Sequence, residues 1–254
     1  MKKKLLMTLT ITLCAVMLVV GSVAGTMAYL RSTAEVVNTF TYGKVGITMD
    51  ETLIGEDGLT PAATSQRTTG NRYKLMPGTT YVKDPLIHIG AESEDMYLFI
   101  KVDNGIAGLA TDGTILDGNG DPYKTIQEQL LENGWKVYTN EAGKAYTTTT
   151  DTATNAGVTI RSTSTVYYLS VGKEVGEVDA KIVTKESGSI KTFETFTTSK
   201  TNVTEASMTA HVNNNAKIGI LAYAVQQSGF ANHHKAAEVF TAEWTSAIPA
   251  DPAP

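Results

Sequence analysis

Lys217-Ile218-Gly219-Ile220-Leu221-Ala222-Tyr223-Ala224-Val225 decides the fold. As an extended chain it sends Ile218, Ile220, Ala222 and Ala224 to one face and Leu221, Tyr223 and Val225 to the other. A strand that is apolar on both faces lies buried between layers. Met96-Tyr97-Leu98-Phe99-Ile100-Lys101-Val102 has the same character until Lys101 and is expected to be a central strand. Upstream of the first stretch, Asn213-Asn214-Asn215 is a strong turn signal, which makes Ser207–Val212 the expected other arm of a hairpin.

The rest of the chain reads around these two strands. Val45, Ile47 and Met49 share one face of a further strand. Tyr81–Lys83 and Leu86–Ile89 flank Asp84-Pro85, where the proline marks an edge or bulge. Val158–Ile160 and Thr165–Leu169 are expected to be hairpin arms across Arg161–Ser164. Thr147–Thr154 and Gly55–Asn71 read as exposed loops. Asp121-Pro122 is expected to cap and start one short helix, with Ile126, Leu130 and Leu131 on one side and Gly134 at its end. Asn232 is expected to cap a second, in which Ala236, Phe240 and Trp244 recur at helical spacing. Short strands rich in threonine, valine and tyrosine, with sparse helices, favour an antiparallel β-sandwich over a parallel α/β fold. No internal repeat or second domain is visible, so residues 29–254 are expected to form one domain, with 249–254 a Pro/Ala tail.

The first 28 residues have a different character. Lys2-Lys3-Lys4 precedes an apolar run from Leu5 to Val20, and small residues follow, the pattern of a secretory signal. The positive end stays with the cytoplasmic leaflet as the apolar stretch enters the bilayer. Cuts after Ser22-Val23-Ala24 and after Thr26-Met27-Ala28 both fit the small-residue rule. An uncleaved anchor is the alternative, since the run is nearly long enough to span a membrane. Cys14 is the chain's one cysteine; Leu13 before it does not fit a lipoprotein site. A chain of about 226 residues after Ala28 has no thiol, disulfide or cysteine ligand. Losing three lysines takes its formal charge from −5 to −8, which disfavours nucleic acid or anionic lipid as the main partner. Secretion is the expected localisation.

Motifs for chemistry are sparse. A zincin requires H-E-x-x-H on one helix. Here His234 and Glu238 lie one turn apart without a second histidine, His233 and His234 are expected to point in different directions on a solvated helix face, and His88 and His211 read as strand surface residues. Asp117-Gly118-Asn119-Gly120-Asp121 with Glu128 places carboxylates and amides at EF-hand positions, but Pro122 stands where the loop requires glycine, which favours a plain turn. No G-x-S-x-G supports nucleophilic catalysis. Gly105, Gly108 and Gly113 do not form a phosphate loop, and Asn202-Val203-Thr204 is a sequon in form only. Trp135, Tyr138, Tyr167 and Tyr168 read as core or cross-strand pairs. The expectation is no enzyme, no metal site and no cofactor.

One block is more specific. Gly25-Thr26-Met27-Ala28-Tyr29, followed by Asn38-Thr39-Phe40-Thr41-Tyr42-Gly43-Lys44-Val45, resembles the G-x-T-x-A-Y-F-T-D and N-x-F-T-x-G-x-V pattern of the SipW-dependent secreted proteins, the TasA/camelysin (CalY) family of Gram-positive biofilm-matrix fibres. Leu30 replaces the family's Phe, and Arg31-Ser32-Thr33 departs around its Thr-Asp. Leu75-Met76-Pro77-Gly78 with Lys83-Asp84-Pro85, Tyr97–Val102, and Ala222-Tyr223-Ala224-Val225-Gln226 are similar to further family blocks, while 103–216 carries little that is diagnostic. The resemblance implies cleavage by a signal peptidase between Ala28 and Tyr29. It also implies a jelly-roll-like β-sandwich and assembly into fibres with itself and with other matrix or cell-surface proteins, by insertion of the freed N-terminal strand into the next subunit. On that view 29–42 is the donor segment, with Val36, Val37, Phe40 and Tyr42 its apolar side chains, and 43–49 begins the chain's own sheet. The same family has been labelled with metalloprotease activity, so a camelysin-like surface metalloprotease is the alternative, and a monomeric surface adhesin a third reading.

Overall fold

The computed structural model describes residues 31–35, 38–39, 45–63, 66–110, 116, 120, 122–154, 157–170, 180–201 and 203–245, with the backbone alone at 31–35 and 38–39. The protein is mainly β, and its sheets are antiparallel. The stretch that decides the fold is strand Ile218–Gln226, and it pairs along its length with Met96–Asn104, from Ile218 opposite Asn104 to Gln226 opposite Met96. In chain order the strands are β1 (Arg31–Glu35), β2 (Asn38–Thr39), β3 (Ile47–Thr52), β4 (Arg67–Thr68), β5 (Thr80–Val82), β6 (Leu86–Ile89) and β7 (Met96–Asn104). They continue with β8 (Trp135–Val137), β9 (Thr147–Ala153), β10 (Thr159–Leu169), β11 (Ser189–Lys191), β12 (Thr195–Thr197) and β13 (Ile218–Gln226). The large sheet runs β2-β1-β13-β7-β10-β8, with β9 sharing the β8 edge of β10. A smaller sheet runs β11-β6-β3-β4, and β12 pairs with β5.

The two faces of β7 and β13 explain the layering. Leu98, Ile100, Val102, Ile220, Ala222 and Ala224 meet Ile47, Met49, Ile87 and Ile190 of the smaller sheet, and Val45 just before it, in one core. That arrangement is consistent with the expected sandwich. The opposite faces supply Tyr97, Phe99, Tyr223 and Val225 to a second core, closed by α3 (His233–Ala237) and α4 (Thr241–Trp244) through Ala236, Phe240 and Trp244. Each of these large side chains contributes roughly 1.5–3 kcal/mol on burial. A third cluster forms around Tyr81 and Phe196, whose rings stack at 4.7 Å.

Several expectations are corrected. Ser207–Val212 is helical, within α2 (Glu205–Asn213). Thr204 caps it, accepting from the Ser207 N–H at 3.1 Å, while Ser207 Oγ accepts from the Thr204 N–H at 2.8 Å. This reciprocal cap, absent from an alternation count, outweighs the apparent strand pattern. Arg161–Ser164 is no turn: β10 runs through it, and Ser162 and Ser164 stand opposite Thr150 and Thr148. Thr147–Ala153 is accordingly a strand, exposed along its whole length, rather than a loop. Helix α1 (Ile126–Glu132) starts from Thr125 instead of Asp121-Pro122, because Thr125 and Glu128 form a capping box; Leu130 is buried and Leu131 is 46% exposed. The Gly55–Asn71 loop contains β4, and its end is held by Asn71, which donates to Glu51 Oε1 at 2.9 Å and to the Thr52 carbonyl at 2.8 Å. Asn232 caps α3 as expected, accepting from the Lys235 N–H at 2.9 Å.

Candidate self-association edge and adjoining cleft

Strand β13 has different neighbours along its two edges. One edge is covered by β7 throughout. On the other, β1 covers only the distal half, with Arg31, Ser32, Thr33 and Ala34 opposite Val225, Ala224, Tyr223 and Ala222. Beyond Ala222, no strand among the described residues pairs with Ile218–Leu221 on that side. Alternate main-chain N–H and C=O groups there point away from β7, a ready template for an added strand.

This bare stretch borders a cleft of about 610 Å3. Met49, Leu75, Ile106, Phe196, Ile218 and Ile220 supply apolar lining, so the cleft combines an open strand edge with apolar surface. Lys83 and Glu51 add a buried ion pair, Nζ to Oε2 at 2.6 Å. Glu51 lies two residues beyond Met49 on the inward face of β3, which is why alternation carries a carboxylate indoors.

Lys83-Asp84-Pro85 ties the cleft wall together. Asp84 accepts from the Thr52 N–H at 2.7 Å and from its hydroxyl at 2.8 Å. Pro85 accepts at its carbonyl from the Thr192 hydroxyl at 2.6 Å. Arg67 then bridges Asp50 and Asp84, with Nη1 3.0 Å from Asp84 Oδ2. Burial opposes ionisation of Asp84, but hydrogen bonds from Thr52 and Arg67 outweigh it and hold the carboxyl below the usual carboxylate range. Asp50 is likewise held low: burial works against it, and hydrogen bonds from Arg67 and His88 prevail. Burial and then the Glu51 charge push the Tyr73 phenol upward.

The sequence-derived site residues fall in several places. Ala28, Tyr29, Val36, Val37, Phe40 and Tyr42 lie outside the described residues, as do the 1–28 segment, the 249–254 tail, Gly113 and Asn202. Asp117, Gly118, Asn119 and Asp121 also lie outside them; Glu128 is engaged in the Thr125 capping box, accepting from its N–H at 2.7 Å. His88 lies at the strand surface, with Nε2 3.0 Å from Asp50 Oδ2 and Nδ1 2.8 Å from Ser189 Oγ. His211 is buried in α2 rather than on a strand surface, and its Nδ1–H donates to the Ser207 carbonyl at 2.7 Å. His233 is also buried, stacked on Tyr168, and its ring lies 4.0 Å from that of His234. These two rings converge because helix α3 starts there and packs against the aromatic face of the large sheet. Among the described residues no three His, Cys, Asp or Glu side chains gather as metal ligands, and no helix is long and apolar enough to cross a membrane. Trp135, Tyr138, Tyr167 and Tyr168 are buried, and burial pushes the Tyr167 phenol up to about 12. Gly105 lies against the Lys217 backbone, where an added Cβ would come within 2.9 Å of its N and O.

The cleft, the Arg67 bridge and the Glu51–Lys83 pair were not legible in the amino-acid sequence. Only the last left a trace, as charged residues in phase with the inward positions of two strands. No family model, no curated protein and no solved structure matches this chain.

Proposed function

We infer that the protein is a secreted structural subunit of extracellular, biofilm-matrix fibres, without catalytic activity. On this reading residues 1–28 direct export and are removed after Ala28. The remainder is a single jelly-roll-like β-sandwich that polymerises by exchanging its N-terminal strand between subunits. The observation that carries it is the seat of β1, which with β2 closes one end of the large sheet and is held to β13 by main-chain pairing. The same ladder made with the β1 of another copy is β-augmentation, and repeated head to tail it gives a filament. On this reading Val36, Val37, Phe40 and Tyr42 are the apolar side chains of the exchanged segment.

The test compares the chain from Tyr29 with one lacking 29–42, by size exclusion and electron microscopy. Filaments from the first and soluble, folded protein that does not polymerise from the second are expected. If both stay folded without polymerising, strand exchange is wrong, and a surface binding module replaces it.

A further inference from the structure

Strand β9 presents a second open edge, at a different place in the large sheet. Its sole strand partner among the described residues is β10, and every one of its residues is exposed. The ladder phase shows which main-chain groups point away from β10. The Val166 N–H donates to Tyr146 O at 3.0 Å, and the Thr154 N–H to Val158 O at 2.8 Å. Residues 148, 150 and 152 therefore turn their main-chain groups toward β10, and Thr147, Thr149, Asp151 and Ala153 turn theirs outward.

Protein edges of this length are usually blunted by lysine, proline, a bulge or a covering segment. Thr147-Thr148-Thr149-Thr150-Asp151-Thr152-Ala153 has no lysine or proline, and its pairing with β10 is continuous from Thr147 to Ala153. Its one charge, Asp151, is neutralised within the chain by a bidentate pair with Arg161, at 2.8 and 2.9 Å. β-branched threonines at six-sevenths threonine-or-aspartate density favour the extended conformation without greasing the surface. What fits such an edge is another uncharged strand.

We propose that β9 is a lateral self-association edge, pairing antiparallel with β9 of a second copy about a two-fold axis at Thr150. This register sets outward residue against outward residue: Thr147 opposite Ala153 and Thr149 opposite Asp151 of the other copy. The carboxylates face threonine, so no like charges meet. Thr148 then stands opposite Thr152, and the two Thr150 residues meet as a non-hydrogen-bonded pair, whose Cα atoms lie about 4.5 Å apart in such ladders. The contact is isologous and closes on itself, so it links subunits or filaments in pairs. It does not depend on strand exchange at β13.

Disulfide trapping tests it in the chain from Tyr29, which holds every residue the structure describes and no cysteine. Cα atoms at that spacing suit a disulfide. Thr150→Cys is expected to form a covalent dimer under mild oxidation about tenfold or more faster than Glu186→Cys, an exposed position away from the edge. Thr148→Cys and Thr152→Cys should cross-link with each other and not each with itself. Adding Thr149→Pro to Thr150→Cys should abolish trapping with the melting curve unchanged, since the Thr149 N–H takes no part in the β10 ladder. Repeating the assay without 29–42 should give the same dimer. Equal rates for Thr150→Cys and Glu186→Cys would overturn the proposal. So would self-cross-linking of Thr148→Cys as fast as the mixture.

Discussion

At the scale of single residues, the Glu51–Lys83 pair is the most consequential feature. Both side chains are almost wholly withdrawn from water, and they meet at 2.6 Å across 32 residues of sequence. Attraction in such a site roughly offsets desolvation, so the pair matters most when it is broken. Glu51→Gln, which keeps the shape and strands the Lys83 charge, is expected to cost about 3–5 kcal/mol in urea unfolding. Adding Lys83→Met should recover most of that loss; a double variant as unstable as the single one would contradict this account. The strand period shows in sequence that Glu51 shares a face with Ile47 and Met49. It carries no sign that Lys83 is opposite, because pairing between distant strands leaves no local trace. His211 and His233 were illegible for a related reason: a histidine looks polar in one dimension, and only packing reveals that its ring is buried.

At the scale of elements, capping and continuity decided what alternation did not. In Ser207–Val212, Met208, Ala210 and Val212 alternate as a strand would, yet Thr204 and Ser207 close a helical first turn and Val212 ends up 60% exposed. Thr204→Ala is expected to destabilise the protein by about 1 kcal/mol, with Thr204→Ser near neutral, in thermal melts. Equal losses for both would show that the hydroxyl does not act as a cap. Strand β10 was divided in sequence because Arg161–Ser164 looks like a polar turn. Its polar residues instead pair with β9, a strand exposed along its whole length. By contrast β7 and β13 were fully legible, since a strand buried on both faces declares itself by composition alone.

For the molecule as a whole, the acidic groups around Arg67 contribute to the response to pH. The Asp50 and Asp84 carboxyls are held below their ordinary value of 3.8 in the folded protein. On acidification the unfolded chain therefore takes up protons first, so this stabilisation is complete above that value and is lost as pH falls through the folded values. Melting temperature is expected to decline below about pH 4, and Arg67→Met should flatten the decline. An unchanged slope in that variant would locate the acid sensitivity elsewhere. Mainly-β character was readable from threonine, valine and tyrosine content, whereas the pairing of β1 with β13 was not, because it joins opposite ends of the chain. That pairing has a further consequence. A strand tethered to the sheet it completes is present there at a high effective concentration, of millimolar order for short flexible tethers. A strand from another copy must displace this built-in competitor. On the strand-exchange proposal, dilute chains would thus remain self-capped and dormant, and growth would start only where copies crowd together or an existing filament end offers a vacant seat.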